Sequence, residues 1–231
     1  MKAKDISISA GEQKIISAIL DKVKKKGENK IKIMSFNRFY SFLNEGEKHV
    51  INKFKNIDPR KYGFKGTYFG LQSVPNNLIA IRNQRYKTKN RIEKISVQYL
   101  PKPVFVAYKK LNTALFKDIK RKILVDSGYR SSAHQMITFL WYLKFHKFDF
   151  KKTIKRVAIP GYSEHGFPKK QAIDFITQDG IPTDEKPLKF SRTIEYKWLL
   201  KNAHKFGFYQ SYPHKNNLGI MFEPWHWQFV A

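Results

Sequence analysis

The stretch GYSEHGFPKKQAIDFIT, residues 161–177, predicts a loop that leads into a strand. Gly and Pro interrupt regular structure in its first half, and the second half alternates in the manner of a strand. Ile173 and Phe175 share one face of that strand, whereas Asp174 lies on the other face. Asp174 is therefore an acid in an otherwise apolar strand, and it needs a counter-charge, a shell of hydrogen bonds or a metal ion.

Two further segments place polar residues among apolar ones, SGYRSSAHQ at 127–135 and EPWHW at 223–227. Pro224 marks a bend, because proline cannot donate to a strand ladder, and a bend would let Glu223 and His226 converge.

His165, Asp174 and His226 form a two-histidine, one-carboxylate set, which is typical of a catalytic zinc site with an open position. Glu223 beside His226 supplies the carboxylate base that a metal-bound water needs. The same ligand types also describe the facial triad of non-haem iron oxygenases, although that triad usually brings its first His and its carboxylate closer in sequence. The residues alone therefore predict a mononuclear metal site.

Ordinary packing remains an alternative for each of these residues taken singly. A lone histidine is more often a satisfied core or surface residue than a ligand, and we interpret His134 in that way. Asp174 could be a salt-bridged strand acid. Gln135 could close a capping box with Ser132, and Ser163 could cap its loop.

The rest of the chain predicts an α+β fold, because strands and helices are mixed without a βαβ period. Helical segments and short strands are predicted from hydrophobic spacing, caps and breakers. The predicted helices are 11–27, 36–54, 103–120, a helix opened by Ser132 and Gln135, and 193–206 before Gly207; the predicted strands are KILVD at 122–126, QAIDFIT at 171–177, LGIMF at 218–222 and WHWQFV at 225–230.

Composition excludes several classes of protein. The 231 residues include no Cys, which excludes a disulfide framework, thiolate zinc sites and a Cys nucleophile. An aromatic content of 15% argues against wholesale disorder, and no apolar run reaches the roughly 20 residues that span a bilayer. The first thirty residues lack an apolar signal-peptide core. We therefore expect either a periplasmic or cell-envelope protein whose leader has been removed, or a cytoplasmic one.

The net charge of +27 raises nucleic acid, anionic polymers and membrane surfaces as partners. Residues 51–122 carry 18 Lys and Arg against 3 acids. The simpler interpretation of this excess is that the lysines solvate the surface; a basic surface that binds anionic polymers is the alternative.

Four motifs in order resemble the zinc D-alanyl-D-alanine carboxypeptidases of the VanY type. They are Ser127-Gly128-Tyr129-Arg130-Ser131 with Gln135, Ser163-Glu164-His165 with Ala172-x-Asp174, Ser211-Tyr212-Pro213, and Glu223-Pro224-Trp225-His226-Trp227. The resemblance covers roughly residues 71–231. It implies a hedgehog/DD-peptidase-like antiparallel sheet flanked by helices in a catalytic domain at 71–231, after an N-terminal helical extension at 1–70.

The resemblance also implies a site and a reaction. His165, Asp174 and His226 would bind one Zn²⁺, with Glu223 as general base and Arg130 stabilising the oxyanion or holding substrate. Ser163, Gln135 and Tyr212 would lie in the substrate pocket, although Tyr212 also fits a packing role. The implied reaction removes a C-terminal D-Ala from peptidoglycan stem peptides, with zinc-activated water as nucleophile.

Two departures from the family pattern leave alternatives open. The spacing GFPKKQAI between His165 and Asp174 is two residues longer than usual, with Lys170 in place of a Gly, and Gln228 replaces the usual Arg. We expect the extra residues to bulge near Pro168 without moving either ligand; a reshaped pocket is the alternative.

The alternative functions are a peptidoglycan endopeptidase or lysin of the same fold, and a non-enzymatic basic module that binds anionic polymer. A peptidoglycan peptide is the expected substrate, and anionic wall polymers are a further expected partner through residues 51–122. We expect neither nucleic acid as a partner nor a membrane span, and the sequence leaves the oligomeric state open.

Overall fold

A computed structural model describes residues 6–181 and 187–230. Across these residues the chain combines nine α-helices with eight strands, which confirms the α+β class. The helices are α1 (Ala10–Lys24), α2 (Glu28–Lys32), α3 (Phe36–Tyr40), α4 (Glu45–Lys55), α5 (Lys102–Ile119), α6 (Ser132–Phe145), α7 (Phe150–Ile154), α8 (Pro187–Ser191) and α9 (Ile194–Asn202). The strands are β1 (Leu78–Ile81), β2 (Arg85–Lys87), β3 (Ile92–Lys94), β4 (Gln98–Pro101), β5 (Ile123–Ser127), β6 (Ala172–Thr177), β7 (Phe208–Gln210) and β8 (His226–Phe229).

The described residues fall into two compact units. One, which we call the helical unit, lies within Met1–Val74, Arg130–Gly166 and Asn216–Met221; the other, the sheet unit, lies within Pro75–Tyr129, Phe167–Lys215 and Phe222–Ala231. The predicted domains at 1–70 and 71–231 describe a different division, and they stay a prediction. Parts of both predicted ranges lie outside the described residues.

The helical unit is built around α1, which packs against α4 and α6. Helix α1 begins with a capping box between Ser9 and Glu12, and it buries Ile16 and Ile19 as the sequence spacing predicts. Helix α6 contributes Phe139 to the same core, and its ring lies 5.5 Å from that of Phe54 on α4. Helix packing therefore holds this unit together.

The sheet unit contains every described strand. Its central antiparallel sheet has the order β5-β6-β8-β7, and two small antiparallel pairs, β1-β4 and β2-β3, complete its strands. Ile173 and Phe175 on β6 and Trp227 on β8 are buried in a core with residues of α5 and α9. The predicted alternation of β6 thus places its apolar pair in a core.

Three sequence predictions of local structure are wrong. The predicted helix 36–54 is two helices, because Asn44 and Glu47 form a capping box that starts α4. LGIMF at 218–222 is not a strand; instead the Leu218 carbonyl accepts the Lys65 N–H in the helical unit. Helix α6 is capped by Ser131, whose side chain accepts the His134 N–H, so Ser132 and Gln135 form no capping box.

None of the described helices is long and apolar enough to cross a membrane.

Candidate metal centre

Strand register places Asp174 directly beside His226. Strands β6 and β8 pair antiparallel with Asp174 opposite His226, so both side chains project from the same face. The Asp174 Oδ1 lies 2.8 Å from the His226 Nδ1. On its other side β6 pairs with β5, where a bulge between Val125 and Ser127 sets Ser127 opposite Asp174. The position of the strand acid is therefore fixed from both neighbouring strands.

A turn at residues 223–226 brings Glu223 to the same histidine. The His226 N–H donates to the Glu223 carbonyl, and Pro224 occupies the second position, where its fixed φ favours a turn. Glu223 Oε2 consequently lies 3.7 Å from His226 Nδ1. The Glu223 N–H donates to the Tyr212 carbonyl, which ties the start of the turn to the preceding segment.

His165 lies in a short 3-10 turn, Glu164–Gly166, of the helical unit. The Gly166 N–H donates to the Ser163 carbonyl, and the His165 carbonyl accepts the Arg130 N–H at 3.0 Å. A side chain on Gly166 would place its Cβ 2.9 Å from the Arg130 carbonyl oxygen, so this close backbone approach needs glycine. The loop is thereby held against the segment that carries Arg130.

His165, Asp174 and His226 form a group that could hold one metal ion. One potential ligand atom of each residue lies within 4.8 Å of those of the other two. The three residues are only 2%, 9% and 4% exposed, respectively. Ligand atoms on one tetrahedral zinc ion lie about 3.3 Å apart, because each bond to zinc is about 2.0–2.1 Å long. Two imidazoles and a carboxylate of this spacing therefore fit a single divalent ion.

Arg130 is held by Gln135, one turn into α6. Arg130 Nη1 donates to Gln135 Oε1 at 3.2 Å, and Gln135 Nε2 donates to the Ala158 carbonyl at 2.6 Å. Gln135 is buried. Its amide thus orients the guanidinium instead of closing the capping box that its position suggested.

Ser163 and Tyr212 have identifiable structural roles. Ser163 is half-buried, and its carbonyl closes the turn that carries His165. The Tyr212 ring is buried with its centroid 4.7 Å from that of His226. Contact of either side chain with substrate stays a prediction.

His134 on α6 is half-buried, but its Nδ1 is a buried atom that has no hydrogen-bond partner among the described residues. Burial lowers its pKa to about 3, and the charges of Arg130, Lys32 and His165 act in the same direction. The missing partner contradicts our interpretation of His134 as a satisfied core or surface residue, whereas the group of potential metal ligands found among the described residues does not include His134. The available signal was a histidine in a helix whose later residues are mostly apolar.

The long His165–Asp174 spacing contains a second 3-10 turn, Pro168–Lys170, whose two lysines are exposed. Strand β6 begins only at Ala172. The additional length is thus accommodated before the strand. Gln228 lies within β8 opposite Ala172.

Sequence analysis did not predict that β4 would hold the segment SGYR, residues 127–130, by hydrogen bonds. Gln98 on β4 accepts the Gly128 N–H through Oε1, and the Tyr99 carbonyl accepts the Tyr129 N–H. A Cβ on Gly128 would lie 2.4 Å from the Tyr99 carbonyl oxygen, so only glycine fits. No strand was predicted in the 76–101 region, because its apolar runs are short.

Across the described residues, fold and donor set together define an α+β protein with a candidate metal centre, and comparison with known proteins gives the family. Residues 97–231 match the family model described as VanY, D-alanyl-D-alanine carboxypeptidase. The chain belongs to this family.

Two curated proteins and one solved structure illustrate the similarity. "Putative carboxypeptidase YodJ" of Bacillus subtilis (strain 168) is 28% identical over 213 residues, which cover 80% of this chain and 75% of YodJ. The D-alanyl-D-alanine carboxypeptidase of Enterococcus faecium is 28% identical over 138 residues, 58% of this chain and 38% of that enzyme. The structure of the LdcB LD-carboxypeptidase has a TM-score of 0.54 at 29% identity, covering 68% of this chain and 69% of LdcB. These findings confirm the predicted DD-peptidase-like fold.

Proposed function

We propose that this protein is a zinc metallo-carboxypeptidase that removes a C-terminal D-Ala from peptidoglycan stem peptides. The observation that carries the proposal is the buried grouping of His165, Asp174 and His226 in a chain of the VanY family. Zn²⁺ suits these donors, because imidazole nitrogen and carboxylate oxygen are among its usual ligands. Zinc held there would polarise the scissile carbonyl and lower the pKa of water.

Glu223 is the residue we assign as proton carrier. It lies beside the ligand set, 3.7 Å from His226 Nδ1, and the Pro224 turn fixes its backbone. A carboxylate so placed can take a proton from the attacking water and pass it to the leaving amine.

We assign Arg130 the role of binding negative charge on the substrate. Its guanidinium is permanently charged and can bind a carboxylate or an oxyanion through two parallel hydrogen bonds. Gln135 limits its rotation.

The stereochemistry of the residue before the scissile bond defines two candidate activities. The family description and the enterococcal relative are D-alanyl-D-alanine carboxypeptidases, whereas LdcB is an LD-carboxypeptidase. Pentapeptide stems that end in D-Ala-D-Ala test the first activity, and tetrapeptide stems test the second. A family whose substrates are wall peptides favours a location in the cell envelope.

The proposal is tested by mass spectrometry of defined tetra- and pentapeptide muropeptides. The wild type, Glu223→Gln, a chelator-treated sample and the control Glu45→Gln are compared. Glu45 is an exposed carboxylate of α4. We expect wild type and Glu45→Gln to release one terminal alanine. Glu223→Gln should be slower by about 10²–10⁴-fold, because general-base catalysis contributes that much.

Three outcomes would contradict the proposal. Near-full activity of Glu223→Gln would refute the proton-transfer role. Internal cleavage of the stem would identify an endopeptidase, and sacculus binding without any cleavage would identify a basic binding module.

A further inference from the structure

Two adjoining cavities in the helical unit form what we call the basic groove. Their volumes are about 320 and 360 Å³, and they share Met34, Ser35 and Val74 in their walls. Lys55 lines the first cavity; Lys26, Lys30 and Arg38 line the second. No Asp or Glu of the described chain lines either one. Four cations therefore face this groove without acidic neighbours in its walls.

These four cations have no ion-pair partner among the residues that the structure describes. Lys26 Nζ lies 5.1 Å from the centre of the Phe42 ring. Lys55 Nζ lies 5.9 Å from the Tyr40 ring centre and 6.0 Å from that of Phe36. Aromatic faces attract these ammonium groups but leave their charge uncompensated. A cluster of like charges in a concave surface attracts anions.

One end of the basic groove adjoins the segment that carries Arg130. Ser131 and Ser132, which directly follow Arg130, line the first cavity. The Arg130 N–H in turn donates to the His165 carbonyl. Within the helical unit, the groove therefore begins next to the backbone of a candidate metal ligand.

We propose that the basic groove is a subsite for the carboxylates of the peptidoglycan peptide on the side away from the bond that is cut. This inference rests on the proposed function. Most of the groove is formed by residues 26–74, which precede the family match at 97–231. The subsite would thus be a specialisation that the N-terminal region adds to the family's catalytic core.

Polar neutral groups in the first cavity support a peptide ligand. Asn37, Gln72 and Ser73 line it together with Lys55. Amides and hydroxyls can bond to peptide N–H and C=O groups, while the lysine binds a carboxylate. Phosphodiester polymers share the anionic chemistry, so the experiment includes them as a separate arm.

The test compares a full muropeptide with a minimal acylated dipeptide that carries only the terminal carboxylate. Steady-state kinetics are measured for wild type, Lys55→Gln, Arg38→Gln and the control Lys61→Gln, which removes an exposed charge outside the groove; Arg38 is likewise exposed, whereas Lys55 is half-buried. We expect each groove variant to raise the KM ratio of full to minimal substrate about three- to tenfold, as loss of a charge-assisted contact does. Lys61→Gln should leave the ratio unchanged, and Lys55→Arg should retain most of the wild-type value.

Equal KM ratios in wild type and groove variants would overturn the subsite. Tighter competition by a polyglycerol phosphate oligomer than by the uncleaved stem would show that the ligand class is wrong. Failure of the proposed function is distinguishable, because equilibrium dialysis of the full muropeptide against Glu223→Gln, with and without Lys55→Gln, measures the groove without catalysis. Binding to Glu223→Gln that Lys55→Gln weakens supports the groove, and binding unaffected by Lys55→Gln contradicts it.

Discussion

The sheet unit and the helical unit hold their site residues by different kinds of structure. In the sheet unit, strand register alone puts Asp174 opposite His226. In the helical unit, His165 lies in a 3-10 turn, and Arg130 precedes the cap of α6. A register is specified by alternation along a strand, whereas a turn depends on a few backbone contacts. The sheet therefore supplies a preformed ligand pair, and the loop supplies a ligand whose position depends on its neighbours.

The largest expected effect follows from removal of a ligand from either unit. Asp174→Asn and His165→Asn should each weaken zinc binding by at least about a hundredfold, since even changes behind the ligands cost about 10–100-fold. Cleavage should then fall to the assay background. Zinc content after dialysis and D-Ala release measure the two effects. His204→Asn, at an exposed position in the sheet unit, is the matched control.

The same two variants can also contradict the division of the ligands between the two units. If His165→Asn keeps wild-type zinc content while Asp174→Asn loses it, the sheet pair binds the ion by itself, and His165 is not a ligand. If Asp174→Asn keeps the ion, the assigned metal centre is wrong.

A smaller effect is expected at Gln135, which acts on the site through Arg130. Gln135→Leu removes the Oε1 acceptor for Arg130, so kcat/KM should fall about 10–100-fold with zinc content unchanged. Gln135→Glu retains an acceptor for the guanidinium and should recover part of kcat/KM. Equal losses of activity in both variants, in proportion to a lowered melting temperature, would indicate a purely structural role.

Acid should destabilise the helical unit through His134. Its folded-state pKa of about 3 lies below the unfolded value near 6.5, so the unfolded chain binds more protons between these pH values. This residue should therefore lower the free energy of unfolding by about 1–2 kcal/mol between pH 6.5 and pH 5. Urea denaturation of wild type and His134→Gln at both pH values measures the difference, with His204→Gln as an exposed control. An identical pH response in wild type and His134→Gln would contradict the assignment.

The sequence predicted the strands and helices better than it predicted the contacts between loops. Alternation of Ile173, Asp174 and Phe175 correctly predicted β6 and the placement of its apolar pair in a core. The helical spacing of apolar residues correctly predicted α1, which buries Ile16, Ile19 and Val23. The contact between Arg130 and His165 was not predictable, because it is a backbone hydrogen bond between residues distant in sequence. Every residue other than proline has the same backbone donor and acceptor, so the residue types do not indicate which backbone groups pair.

The local sequence also gave the wrong N-cap residue for α6, because two neighbouring serines could each take that position. A serine at either 131 or 132 could start α6, and the spacing of Ser132 and Gln135 favoured the second. The Ser131 N–H donates to the Lys32 carbonyl, which is a tertiary contact that fixes Ser131 as the residue before the helix. Tertiary structure thus selected the cap.

The smallest predicted effect tests that choice of cap directly. Ser131→Ala removes the side-chain acceptor for the His134 N–H and should cost about 1 kcal/mol of unfolding free energy. Ser132 lies in the first turn of α6 and makes no described capping bond. Because alanine has a higher helix propensity than serine, Ser132→Ala should leave the free energy of unfolding unchanged or raise it slightly. Urea denaturation of both variants at neutral pH measures the difference. The reverse order of stability would show that α6 begins one residue later, with Gln135 in the capping box and therefore not available to orient Arg130.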